Sequence, residues 1–594
     1  MIDTLLDKIG DWNPQLLREL KGRLTPKNIV IAAGISAVSQ IFLYLLFQSR
    51  LSLTERSLPR ILRYCAKIHY VNTIKASMPQ CIHNRTGGTN INFSIWSLDF
   101  FTTLTIIGII GLFVVGIYLL IDDLAREEKL GTLNFIRLSP QNSKNILLGK
   151  LLGVPVLVYL AILLLFPLHF GLGITAHIPP YLILAFDGIV VVSCFFFYSS
   201  ALLFALTCTG LGGLQAWLGS GFVFGFLLIM VDYSLDNYSN FMPSYLSLSD
   251  WLTIFYPGYL LPYLVAHTPN DLSVVDYLDV NELGYLTWFN LELWRNSVAA
   301  FAFTLVNYGL GIFVLWKGLD RRFHNHSISP LSKGQSYWLS SSIVFVLIGF
   351  AIQHPVYSSS QQIAYSIFEN FLWVLVLQVF LFCCLIAALT PHRKTLQTWS
   401  RYRHQTAKQN LRWDLLWGEK SPAILAIALN LVCVSTIFLV TISLLALDNH
   451  YFELYRSYLI VGLLVSDGVI LLYASLAQWL LLQKTKQRVL WAIATIITLS
   501  VLLPIAVSIL GILSSNSDFI TIDTILLSIV SVFPVLLGED YAQVTTLFAL
   551  IGQGIAIAAI NVQMTRQLRH LGESEVKALL SENSRSRKQL SGVF

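Results

Sequence analysis

Charge is the scarcest property of this sequence. Only 12% of its 594 residues are Asp, Glu, Lys or Arg, against about 25% in an average soluble chain, while 55% are hydrophobic and the mean hydropathy is +0.66. That balance excludes a soluble globular protein of this length. Signature motifs are equally sparse. No G-x-x-x-x-G-K-[ST] loop is present to cradle phosphates, because Gly149-Lys150 is followed by Leu151. H-E-x-x-H, C-x-x-C and G-x-S-x-G are absent as well, so nothing points to a zinc hydrolase, a dithiol site or a serine hydrolase. The chain is expected not to be an enzyme and to carry no catalytic residue, cofactor or metal ligand of its own. The first 28 residues hold neither an apolar h-region nor a small-residue cleavage site, so no removable signal peptide is expected.

What is there is a succession of apolar runs. Twelve of them, at about 29–47, 98–121, 151–172, 180–207, 212–231, 297–318, 338–353, 366–390, 422–446, 457–482, 489–513 and 541–562, approach the roughly 20 residues a crossing helix needs. The expected fold class is an all-α polytopic membrane protein with about twelve transmembrane helices. Lys and Arg crowd two connections, 122–150 and 391–421, and the tail after Thr565, which places these and both termini in the cytoplasm. The connection 232–296 has Arg295 as its single base against eight acids and belongs outside. The connection 48–97 must then also be external, although it carries seven bases; longer segments translocate against charge. The absence of targeting motifs favours a bacterial plasma (inner) membrane.

Of seven cysteines, Cys194, Cys208, Cys383, Cys384 and Cys433 lie in apolar runs and read as packing residues. Cys65 and Cys81 lie in the external segment, where a disulfide and two free thiols are both compatible with a spacing of 16.

One segment stands apart. Ile121 to Pro155 is charged and amphipathic between two apolar spans. The chain is expected to leave the bilayer at Asp122 and to make a solvated turn through Arg126, Glu127, Glu128 and Lys129. Leu130, Leu133, Ile136 and Leu138 then recur at helical spacing, and Ser139-Pro140 ends the stripe. Ahead of the first span, Asn13-Pro14 opens QLLRELKGRL, the pattern of a basic amphipathic surface helix.

The chain also reads as two copies of a six-span unit. WSLDFF around Asp99 matches YSIFENF around Glu369, AFDGIVV around Asp187 matches VSDGVIL around Asp467, and both halves close on a span ending in paired arginines, Arg321-Arg322 and Arg566 with Arg569. Each closing span follows a proline-containing apolar stretch too short to cross, expected as an external re-entrant helix. The layout predicts a connecting helix in 1–28, a first half at 29–323, a linker at 324–337, a second half at 338–565 and a tail at 566–594.

The run EEKLGTLNFIRLSPQNSKNILLGKLL, with Glu128, Gly131-Thr132, Ser139-Pro140 and Gly149-Lys150, resembles the coupling region of type-two ABC exporter permeases. The resemblance implies that this segment docks on an ATPase through Arg126, Glu127, Glu128, Gly131, Thr132, Leu133, Ser139 and Pro140. The second-half counterpart lacks the Gly-Thr and Leu-Gly-Lys elements; Arg403, Trp417 and Glu419, before Ser421-Pro422, would take the corresponding place. Two separate ATPase subunits would supply ATP and Mg, and a fused pair of halves would need no permease homodimer. Partners would otherwise be membrane lipid, with no nucleic acid. A different class remains open. Asp187 and Asp467 are carboxylates deep in apolar spans, which is a functional lead. They either line a pathway, as in an ion-coupled secondary transporter, or bond to neighbouring helices. Asp99, Asp232 and Glu369 are expected at the outer interface. A membrane enzyme acting on lipid-linked substrates would need a clustered acid, base or nucleophile, and none is evident.

Overall fold

The computed structural model describes residues 8–53, 64, 68–73, 76–81, 92–208, 213–236, 249–266, 268, 283–284, 286–325, 328–353, 359–391, 393–405, 411–448, 450–485, 487–506, 527–532 and 543–590. Twelve helices among them are long and apolar enough to cross a membrane, and the protein is a multi-pass helical membrane protein in architecture. The chain divides into two units, Met1–Thr287 with Leu291–His324, and Asn325–Phe594 with Trp288–Asn290.

In the first unit, α1 (Pro14–Arg23) precedes six spans: α2 (Pro26–Leu53), α3 (Phe93–Lys129), α6 (Val156–Thr175), α7 (Pro180–Thr207), α8 (Leu214–Asp236) and α11 (Ser297–His324). Between α3 and α6 come α4 (Thr132–Arg137) and α5 (Ser143–Gly153). Between α8 and α11 come α9 (Ser249–Thr253), a 3-10 turn at Pro257–Leu260 and α10 (Leu261–Ala266). The second unit holds α12 (Lys333–Ala351), α13 (Ser360–Leu389), α14 (Arg393–Gln405), α15 (Leu411–Trp417), α16 (Ile424–Asp448), α17 (Glu453–Leu482), α18 (Arg488–Ile497, continued by a π turn) and α19 (Gln543–Leu590).

The helix starts follow local chemistry. Asn13 caps α1 by accepting from the Leu16 amide, and Pro14 takes the first helical position, where its missing N–H is no loss. Ser332 with Gln335 and Ser359 with Gln362 form capping boxes at α12 and α13. The first span of the second unit thus starts at Lys333, five residues before the apolar run itself.

Most span contacts recur in both units: the second span touches the first, third and fourth, the first touches the third, and the fourth touches the third, fifth and sixth. One differs: in the first unit the second span also packs along the fifth, α3 on α8, and among the described residues of the second unit α13 and α18 make no comparable contact. The short elements expected to be re-entrant also settle alike. Tyr259 bonds Thr304 on α11, and Phe255 meets Phe196 on α7 and Tyr308 on α11. In the second unit, the helical turn at 527–530 receives Tyr473 of α17 on the Val530 carbonyl and Gln553 of α19 on the Ser528 carbonyl. Close helix approach is set by Gly116 of α3. A Cβ there would lie 1.8 Å from the Tyr198 hydroxyl of α7, which donates to the Leu112 carbonyl at 2.7 Å.

Among the described residues, 68–73 and 76–81 pair as a short antiparallel β hairpin, a local departure within an otherwise helical membrane fold. One expectation needs correction. Arg126 to Lys129 are not a solvated turn: α3 stays helical through Lys129, because Glu127 points into the protein and finds cations there. Near the start of α3, Asp99 is buried, only 6% exposed, and takes the Tyr64 hydroxyl at 3.0 Å. Cys65 and the side chain of Cys81 lie outside the described residues.

Candidate functional site

Three helices meet at the Lys129 end of α3. Gly149 and Gly153 on α5 let α1 lie directly against it; a Cβ on Gly149 would sit 2.8 Å from the Asn13 side-chain oxygen, and one on Gly153 would sit 2.5 Å from Glu19 Cβ. Asn13 then donates to the Asn145 carbonyl at 2.6 Å. Between these helices Lys150 is wholly buried. Its ammonium lies 2.7 Å from Asp123, 2.8 Å from Glu127 and 3.5 Å from Glu19. Arg18 pairs with Glu127 at 3.2 Å, and Arg23 pairs with Glu19 and Asp123. Three anions and three cations thus balance in a largely dry junction. Burial alone would push the Lys150 pKa down; Asp123, Glu127 and Glu19 outweigh it, and the net shift is upward. Glu19, Asp123 and Glu127 place carboxylate oxygens within 4.8 Å of one another, a geometry that would suit a cation, and the Lys150 ammonium is that cation.

From this junction the chain turns at Gly131, whose φ of +74° is the left-handed region glycine tolerates. Thr132 secures the turn by donating to the Glu127 carbonyl at 3.1 Å. On α4, Leu133 is buried and points back at the bundle. The stripe expected at 130, 133, 136 and 138 is therefore split: Leu130, Phe135 and Leu138 are 69%, 77% and 82% exposed. The far side of α4 is held by α11. Arg137 lies over the Phe323 ring at 5.8 Å, and Ser143 donates to Asp320. Burial lowers the Arg137 pKa, against the opposing pull of Glu128. Arg126 is exposed on an i,i+4 pair with Asp122, Ser139 donates to the Ile136 carbonyl at 2.7 Å, and Pro140 is exposed.

The second unit solves the same position with different chemistry. Lys333 is buried at the start of α12 and donates to the Leu415 carbonyl (2.6 Å), the Ser421 hydroxyl (2.7 Å) and the Pro422 carbonyl (3.1 Å). Tyr337 adds a bond to the Leu416 carbonyl and packs edge-on against Trp417. Trp413 and Trp417 remain exposed, as does Glu419. The side chain of Arg403 lies outside the described residues. α14 is tied to α19 by Leu396, which packs with Met564 and Leu568, and by Ser400, which donates to the Leu568 carbonyl.

Asp187 and Asp467 both sit on the fourth span of their unit and each meets a polar group from the third span, His169 and Ser435. Asp467 accepts from Gln378 at 3.0 Å and from Ser435 at 2.6 Å, so both its oxygens are bonded. Asp187 meets His169, with Nδ1 to Oδ2 at 4.0 Å; His169 meets Thr105 at 2.9 Å and stacks on Phe101.

Lys150, Glu19 and Asp123 escaped the sequence reading as site residues, since nothing in their spacing announces contact. The signals were a lone lysine within the apolar run NILLGKLLG and the Glu19/Arg23 spacing of four. Comparison with known proteins returned no matching family model, no matching curated protein and no matching solved structure.

Proposed function

We propose that this chain is the membrane-spanning permease subunit of an ATP-driven exporter of the type-two ABC kind, made of two fused six-span halves and driven by two separate ATPase subunits. The observation that carries the reading is the mounting of α4. It presents Leu130, Phe135 and Leu138 outward, while Arg137, Ser143 and the Lys150 junction bind its surroundings to α1, α3 and α11. A push on the exposed face would pass into two spans and the surface helix together, which is what a permease without its own motor requires. The shared packing pattern of the two units favours duplication, and α15 with Trp413 and Trp417 would be the second docking point. In this scheme α4 and α15 face the cytoplasm of a plasma membrane, as the distribution of Lys and Arg favours.

A second reading, ion-coupled transport through Asp187 and Asp467, keeps support from Asp187 alone, because Gln378 and Ser435 already satisfy Asp467.

The test is to isolate the full chain from its native membrane in mild detergent and identify what accompanies it. A near-stoichiometric P-loop ATPase, lost when Phe135 and Leu138 are both changed to Asp in an otherwise normally eluting chain, is the expected result. Recovery of the chain alone after crosslinking would refute the ABC reading.

A further inference from the structure

We propose that Asp187 and His169 form a proton-binding dyad in the first unit, holding one shared proton between α6 and α7, while the carboxylate at the corresponding place of the second unit faces Gln378 and Ser435 and has no titratable partner to share one with.

The argument is a count of hydrogens. Thr105 has one hydroxyl proton, and it donates to the Phe101 carbonyl one turn back at 2.7 Å. The 2.9 Å contact between Thr105 and His169 Nε2 therefore needs its hydrogen from the imidazole, so Nε2 is protonated. In a neutral ring that leaves a bare lone pair on Nδ1, facing a carboxylate oxygen 4.0 Å away. Asp187 Oδ2 is buried and receives no hydrogen bond. Two acceptors turned toward each other in an apolar setting are unfavourable, and one added proton resolves both deficits once the side chains close the 4.0 Å gap to hydrogen-bond distance, as a carboxylic acid donating to Nδ1 or as an imidazolium donating to Oδ2. His169 is 7% exposed by side chain and Asp187 28%, so the carboxylate is the less enclosed member of the pair.

The second unit supplies the control. Asp467 stands at the equivalent place on α17, but its partners Gln378 of α13 and Ser435 of α16 are donors that never titrate, and they satisfy the carboxylate without any added proton. Among the described residues, the groups recorded against the dyad are these. On α3 they are Thr105 and Phe101, and the neighbouring titratable residue of that helix, Asp99, is engaged by Tyr64; on α6 the group is His169 itself, and on α7 Asp187. The inference stands whether ATP or an ion gradient drives the protein, so its failure would leave the ATPase assay above untouched.

The experiment is a pH titration of the full chain in lipid nanodiscs, read by infrared spectroscopy of the protonated carboxyl stretch and by nitrogen NMR of labelled histidine. Wild-type protein at neutral pH is expected to show either a carboxyl band that disappears in Asp187→Asn and persists in Asp467→Asn, or an imidazolium signal that disappears in His169→Gln. Thr105→Val is the decisive variant. Without the Thr105 acceptor, His169 is free to move its hydrogen to Nδ1 and serve an ionised Asp187, so proton affinity should fall by about tenfold, the worth of one hydrogen bond. Neutral His169 beside ionised Asp187 in the wild type at neutral pH, or a midpoint unmoved by Thr105→Val, overturns the proposal.

Discussion

Replacing Lys150 with methionine removes the one cation that all three carboxylates of the α1–α3–α5 junction share. Methionine fills a similar volume, so the effect is electrostatic and not a cavity. What remains is Glu19, Asp123 and Glu127 facing only Arg18 and Arg23, a net charge of −1 where the native cluster sums to zero, and Arg18 is itself 54% exposed by side chain. Removing one partner of a buried ion pair costs about 3–5 kcal/mol, which corresponds to a roughly 10²–10⁴-fold shift in the local equilibrium that keeps α1 docked. The upper part of that range applies only if no carboxylate picks up a proton. Amide hydrogen exchange over Pro14–Arg23, in nanodiscs, reads the equilibrium directly. Exchange should accelerate by two decades or more in Lys150→Met, less in Lys150→Arg, and the double variant with Glu127→Gln should recover part of the loss, since one unpaired carboxylate is gone. The native Lys150 pKa is raised, so its contribution is complete at every pH below the ordinary lysine value and is lost only as pH rises through the higher native value. Protection of α1 in the wild type should therefore be insensitive to this group from neutral to mildly alkaline pH. Unchanged α1 exchange in Lys150→Met would refute the claim that this junction holds the helix.

Gly116→Ala should lower thermal stability by about 1–3 kcal/mol, because its Cβ meets the Tyr198 hydroxyl, and pairing it with Tyr198→Phe should restore part of that in a melting assay. Gly131→Ala forces an L-residue into φ +74°, about 1–2 kcal/mol, and, under the proposed function, should weaken retention of the proposed ATPase in pull-down by re-aiming α4 while leaving the exposed side chains in place. Lys333→Met strips hydrogen bonds from two carbonyls and the Ser421 hydroxyl, a loss of about 1.5–3 kcal/mol, read as faster exchange over α15 with no change over α1.

The span pattern was open to reading from the sequence because crossing a bilayer is a local requirement, length and hydropathy within one run of residues, and twelve runs became twelve helices. The amphipathic character of α1 and the break at Gly131 were legible for the same reason: caps, glycines and periodicity act within a few residues. Helix ends were not. α3 runs eight residues past its apolar stretch because Asp123 and Glu127 find cations only when Lys150, Arg18 and Arg23 arrive from more than 20 residues away. Tertiary packing alone decided which of Leu130, Leu133, Phe135 and Leu138 face outward, since α4 is little more than a turn and carries no periodicity strong enough to choose a face. It also separated Asp187 from Asp467. The two share a motif in sequence, and what differs is the neighbour each meets across a helix interface, His169 in one unit and Ser435 with Gln378 in the other.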